Sequence, residues 1–208
     1  MEPGDSAGTI GVRDRLEVEQ LPQSTPVAKG RDLILTADFD AAASDGAATR
    51  FDSNLSAIRA LKKVEAENRQ ATPEEQAIIG RFSGFGDSAF SNAFNRYSRD
   101  AAWTRRGEEL KEITTPEEYQ ALERSRLNAF YTSPEIVRTI WQGLEHLGAD
   151  KLDSPRILEP SAGSGRFLGM QPTALAARSQ RTAVELDSLT GRMLKQTYPD
   201  STVYVMGY

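Results

Sequence analysis

No cysteine occurs among the 208 residues, and histidine occurs once, at His146. The first absence excludes disulfides and cysteine-held zinc, and the second leaves an all-protein zinc site short of ligands, so no metal is expected. Long apolar runs are missing too. Nothing approaches the ~20 residues that cross a bilayer as a helix, and the opening MEPGDSAGTIGVRDR lacks the basic, apolar, small-residue order of a signal peptide. No membrane partner is expected, and a cytosolic setting is. Positive charge is also in short supply: 25 Lys and Arg stand against 30 Asp and Glu, a formal net charge of −5. Tight duplex binding rests on clustered cations that neutralise phosphates, so this chain alone is expected to grip DNA poorly.

What is present suits a globular protein. The residues are 38% hydrophobic and 26% charged, over a length that fits one ordinary domain with attachments. Three regions follow one another. Residues 1–50 carry prolines, glycines and the run DFDAAASDGAAT, with one candidate strand at DLILT. Small residues this dense offer little apolar surface to offset the entropy of ordering, so extended or partly disordered structure is expected there.

Residues 51–128 read as helical. Leu55, Ile58, Leu61 and Val64 fall at helical spacing behind a cap at Asp52 or Ser53. TPEE occurs at Thr72–Glu75 and again at Thr115–Glu118, each a threonine cap, a first-turn proline and a glutamate that reaches back to the cap amide. Shared capping chemistry, not duplication, explains the repeat. Between them RFSGFGDSAFSNAF reads as a packed loop, with Gly84 and Gly86 breaking the helix among anchors Phe82, Phe85 and Phe90. Arg105, Arg106, Arg124 and Arg126 read as scattered solvated charge, and Trp103 and Trp141 as packing residues.

From residue 129 onward the pattern changes. SPEIVRTIWQGLEHLG predicts a helix capped by Ser133, with an apolar stripe of Ile136, Ile140, Trp141, Leu144 and Leu147, a stop at Gly148, and His146 as a last-turn cation or surface residue. Then RIL predicts a strand, SGRFLGM a helix, RTAVEL a strand, SLTGRMLKQTYP a helix with Asp187 as its cap, and STVYVMG a third strand. Alternation of this kind predicts an α/β fold with a parallel, doubly wound sheet.

The first strand runs into the glycine turn EPSAGSG. A triphosphate-binding loop needs a lysine and a hydroxyl residue after its last glycine, but Gly165 is followed by Arg166 and Phe167. A dinucleotide fingerprint needs glycines at its first, third and sixth positions, and Leu168 occupies the sixth. Glu159, at the carboxyl end of the strand, would repel a pyrophosphate but suits an ammonium or sulfonium. S-adenosylmethionine carries both. Glu185 in AVELD, at the end of the second strand, has two oxygens that can accept from both ribose hydroxyls.

EPSAGSG followed by VELD resembles the cofactor signature of adenine-specific DNA methyltransferases, which modify the exocyclic amine. NAFYTSPEIVRTIW is similar to the segment that precedes the first strand in that class, and NLSAIRALKKVEAENRQATPEEQAIIGRFSGFG to the N-terminal part of large phage- and plasmid-borne adenine methylases that often carry a helicase region. The resemblance covers residues 50–208. It implies a Rossmann-like methyltransferase sheet with S-adenosylmethionine as cofactor. Tyr131, Thr132 and Pro134 would lie at the methionine end, Glu159, Ala162, Gly163 and Gly165 around the carboxylate and ammonium, Glu185 on the ribose, and Leu186 beside the adenine.

The class also carries an Asn or Asp, two prolines and an aromatic that hold the flipped target base. No such segment occurs here, and the three predicted strands leave an open apolar edge that the missing half would cover. The chain is therefore expected to be the cofactor-binding N-terminal half, without catalytic residues and inactive by itself, meeting DNA only with that half or a partner chain, and with a helicase as a possible further partner. Two other readings stay open: a methyltransferase acting on protein or RNA, and a non-catalytic assembly or inhibitory module of a phage or plasmid system.

Overall fold

The computed structural model describes residues 31–36, 39, 45–127 and 131–207. The expectations for residues 1–30, for part of the DFDAAASDGAAT run and for the 128–130 boundary lie outside them.

Helix α1, Ala47–Ala66, starts ahead of the predicted cap. Gly46 takes the N-cap position without a side-chain hydrogen bond, and Phe51 is already fully buried on the inner face. Asp52 instead accepts a fork from Arg106 Nε and Nη2 at 2.7 and 2.8 Å. Helix α2, Pro73–Ile79, begins in the predicted capping box, with Thr72 N–H donating to Glu75 at 3.1 Å and Glu75 N–H to Thr72 Oγ1 at 3.3 Å. After a single 3-10 turn at Ser88–Phe90 come α3, Ser91–Phe94, and α4, Ala101–Ile113, the latter capped by Asp100. Helix α5, Pro116–Ser125, repeats the capping box at Thr115 and Glu118.

Helix α6, Pro134–His146, has its predicted Ser133 cap, and Gly148 follows it at φ +97°. Of the predicted stripe only Trp141 lies on its buried face. Val137 and Trp141 point inward, and the Trp141 indole donates to the Phe167 carbonyl at 3.0 Å, whereas Ile136, Ile140, Leu144 and Leu147 are exposed. The helix is turned by the element it packs on, α7 at Arg166–Gly169.

The sheet follows as β1 Arg156–Glu159, α7, the unforeseen one-turn α8 at Thr173–Ala176, β2 Gln180–Glu185, α9 Ser188–Thr197 and β3 Thr202–Val205. Strand order is β1-β2-β3 and both pairings are parallel, with Glu159 opposite Ala183 and Glu185 opposite Val205. Asp187 caps α9 as predicted, and Gly191 lets that helix close on β3, since a Cβ there would lie 2.7 Å from Val205 Cγ2. The result is an α/β fold compatible with the beginning of a Rossmann-like sheet.

DLILT is not a strand of this sheet. Residues 31–36 form an extended strap whose Leu33 and Leu35 amides donate to the Thr197 and Gly169 carbonyls at 3.0 and 2.9 Å. Asp32 anchors it, accepting from Arg181 at 2.7 Å, from Asp200 N–H at 2.6 Å and from Ser201 at 2.7 Å. The Leu35 side chain is buried in one cluster with Val137, Trp141, Met170 and Leu175.

The helical region and the sheet share a core. Phe51, Phe82, Phe85 and Phe90, in edge-to-face contacts such as Phe51–Phe85 at 5.1 Å, belong to one buried cluster with Leu122 of α5 and with Leu189 and Met193 of α9. Arg192 of α9 reinforces the junction by pairing with both Glu65 and Glu118.

Candidate cofactor site

Where β1 ends, the chain turns sharply through Pro160 to Gly165 and enters α7. Gly163 at φ +54° and Gly165 at φ +80° hold backbone conformations that side-chain-bearing residues rarely adopt. Two hydrogen bonds tie the turn to β2: Ala162 N–H donates to the Val184 carbonyl at 3.0 Å, and Gly163 N–H to Glu185 Oε2 at 2.8 Å. The other Glu185 oxygen accepts from Asp187 N–H at 2.8 Å. A carboxylate offers about four acceptor sites, so these two bonds fix its orientation and leave lone pairs for a ligand hydroxyl.

Beside the turn opens a cleft of about 740 Å3, inside the ~300–1,000 Å3 typical of small-molecule sites. Both carboxylates, Glu159 and Glu185, line it. Glu159 is half-buried, and desolvation raises its pKa against the opposing pull of a hydrogen bond from the Ser161 backbone. A cation placed beside it would relieve that penalty. Leu186, largely exposed to solvent, contributes an apolar wall.

Tyr131 forms another wall. Its ring lies against Gly163 on one side and against Gly84 on the other, and Arg166 stacks over it with the guanidinium carbon 5.5 Å from the centroid. Arg166 also donates to the Thr132 carbonyl at 2.7 Å, which ties the segment before α6 to the helix after the turn. Burial, together with the nearby Glu185 and Asp187 carboxylates, pushes the Tyr131 phenol above its ordinary pKa, so it stays neutral.

Against family profiles, curated proteins and solved structures, the chain finds no match. The site therefore rests on its own geometry.

Of the residues singled out from the sequence, Tyr131, Thr132, Glu159, Ala162, Gly163, Glu185 and Leu186 line this cleft together. Pro134 and Gly165 do not. Pro134 is the first residue of α6, and Gly165 is a packing glycine: a Cβ there would lie 2.8 Å from Leu194 Cδ2 and closer still to the Tyr198 ring. The cleft also takes in residues the sequence did not single out as site residues, among them Phe82 and Gly84 of the aromatic loop and Arg124 and Ser125 of α5. The wall opposite the sheet is thus built by the helical region. The glycine-rich SGFG segment was the available signal for part of it; nothing in the α5 sequence pointed to the rest.

The geometry argues against a phosphate. An anion at this turn would sit beside two carboxylates, the Gly163 amide is already engaged by Glu185, the Arg166 guanidinium that also lines the cleft is tied to the Thr132 carbonyl and the Tyr131 ring, and α7 is only four residues long, so it offers little helix dipole. A cationic, hydroxyl-bearing ligand suits the same groups.

Proposed function

We propose that this cleft holds S-adenosylmethionine and that the chain is the methyl-donor-binding portion of an adenine-specific DNA methyltransferase. The observation that carries the cofactor assignment is the convergence of Glu159 and Glu185, from adjacent parallel strands, on one cleft around a left-handed glycine turn. Glu159 meets the ammonium of the amino-acid end, and Glu185, oriented by the Gly163 and Asp187 amides, accepts from the ribose. Leu186 lies against the adenine. When bound, the cofactor supplies a methyl group on a positively charged sulfur; the acceptor is the exocyclic amine of adenine. The choice of DNA rests on the resemblance of EPSAGSG, VELD and FYTSPE to that class. These 208 residues include no Asn/Asp-Pro-Pro-aromatic segment to hold the base, so target binding falls to residues outside them.

Calorimetric titration of the purified chain with S-adenosylmethionine tests the reading. Saturable binding is expected, and Glu185→Ala should weaken it by about 10- to 100-fold, the equivalent of losing charge-assisted hydrogen bonds worth about 1.5–3 kcal/mol. Glu185→Gln, which keeps an acceptor for the Gly163 amide, should fall between the two. Absence of binding, or binding indifferent to Glu185→Ala, rejects the assignment.

A further inference from the structure

The aromatic loop of the helical region reaches the cofactor turn through one side chain. Gly84, at φ +69°, has no Cβ, and one placed there would fall on the Tyr131 ring, 3.1 Å from Cζ and closer still to Cε2. On the other side of that ring, a Cβ at Gly163 would lie 3.0 Å from Cε1. The ring is therefore held between two glycine backbones, one from each region of the protein.

Gly84 is itself firmly placed. Asn54, fully buried on α1, donates to the Gly84 carbonyl at 2.6 Å and accepts from the Ser83 amide at 2.8 Å. Phe82 and Phe85, on either side, are anchored in the aromatic core. A buried side-chain amide bonded in this way to two backbone groups holds the loop in one conformation, since leaving either group unpaired would be costly. Packed interiors transmit such constraints because their side chains have little room to yield. From Asn54 the chain of contacts runs through Gly84 and the Tyr131 ring to Gly163, and so to the Gly163 amide that Glu185 accepts.

We infer that Gly84 is a positioning residue: it seats the Tyr131 ring, and the ring presses the Gly163 amide onto Glu185, setting the shape of the cofactor turn from a loop 79 residues upstream of it. The inference rests on the assignment of the cleft to S-adenosylmethionine only for its effect on affinity; its effect on the turn is independent of any ligand. The "SGFG" segment is thus part of the binding site without touching the ligand's charged groups, and the helical region acts as the template for the turn.

The test compares wild type, Gly84→Ala, Tyr131→Ala and the double variant in the full chain, by two readouts. The first is hydrogen exchange of the Gly163 amide in the absence of ligand. The second is S-adenosylmethionine affinity by calorimetry. Gly84→Ala is expected to speed Gly163 exchange and to weaken the cofactor by about 10-fold, since small misplacements of aligned groups are costly. In the Tyr131→Ala background the same substitution should add less than about 2-fold to either readout, because the ring that transmits it is gone. Tyr131→Phe, which keeps the ring, should preserve wild-type exchange.

Equal effects of Gly84→Ala in both backgrounds would mean that it acts through general destabilisation, and would overturn the inference. Should Gly84→Ala not fold, Tyr131→Ala alone decides: Gly163 exchange must accelerate by about 10-fold or more, and unchanged protection overturns it. Should wild type not bind S-adenosylmethionine, the cofactor assignment falls, while the exchange comparison still decides this inference.

Discussion

Burial raises the pKa of Glu159, and the Ser161 backbone bond only partly offsets it. A carboxyl whose folded pKa lies above its unfolded value favours folding most below the unfolded value, and that contribution is lost as pH rises through the folded one. At neutral pH the Glu159 charge therefore weakens the fold while serving the proposed ammonium. Glu159→Gln is expected to raise the melting temperature at pH 7 and to lower S-adenosylmethionine affinity by about 10-fold or more. Melting curves and titrations on the same two proteins check both halves; a variant with raised melting temperature and unchanged affinity removes Glu159 from the ligand. At this scale the sequence was informative where chemistry is local. Glu159, Gly163 and Glu185 fall within one strand-turn-helix-strand unit, and their convergence on one cleft follows from their positions at the strand ends and in the turn. The Tyr131–Gly84 contact was not legible, because it joins segments with no common periodicity and depends on the fit of a ring against a bare backbone.

Helix α5 ties three elements together through Glu118. That carboxylate closes the capping box with Thr115 and takes ion pairs from Lys62 of α1 and Arg192 of α9. Burial works against its charge, but the bonds from Lys62, the Thr115 amide and Arg192 outweigh it and hold its pKa below the ordinary carboxylate value. Its stabilising contribution is present above the unfolded pKa and disappears as pH falls through the folded one. Glu118→Gln should flatten the acid side of the stability-against-pH curve in urea titrations. Thr115→Ala removes only the cap, at a cost of about 1 kcal/mol or about 2–4 °C in melting temperature, measured by circular dichroism. The caps at Thr72, Thr115, Ser133 and Asp187 were all legible, since a cap depends on three or four adjacent residues. The start of α1 was missed because Gly46 offers no side chain and Asp52, which resembles a cap, serves Arg106 instead. On the inner face of α6 only Trp141 of the predicted stripe was legible, because its partner, not its own apolar pattern, selects the Val137–Trp141 side.

Among the described residues, uncovered apolar surface includes the stripe Ile136–Ile140–Leu144 on α6 and the two edge strands of the sheet, β1 with Leu158 half-exposed and β3 with Tyr204 half-exposed. Apolar stripes and open strand edges drive association. Sedimentation velocity is expected to show concentration-dependent self-association of the isolated chain, reduced by Ile140→Lys with Leu144→Lys at little change in melting temperature. A monomer at all concentrations contradicts this. Alternation of strands and helices made the parallel sheet legible; the shared core was not, since it gathers Phe51 of α1 and Met193 of α9 into one cluster from segments far apart in sequence. The strap at residues 31–36 adds a matter of timing. Leu33 and Leu35 are made well before their partners Thr197 and Gly169, and Asp32 before Arg181, Asp200 and Ser201, the last two lying 168 and 169 residues further along the chain. Contacts of such sequence separation close late, after the intervening loop entropy has been overcome. Two leucines and an aspartate must therefore wait, unpaired, while the intervening helices and strands are translated, and their docking is expected to follow the formation of the local helices.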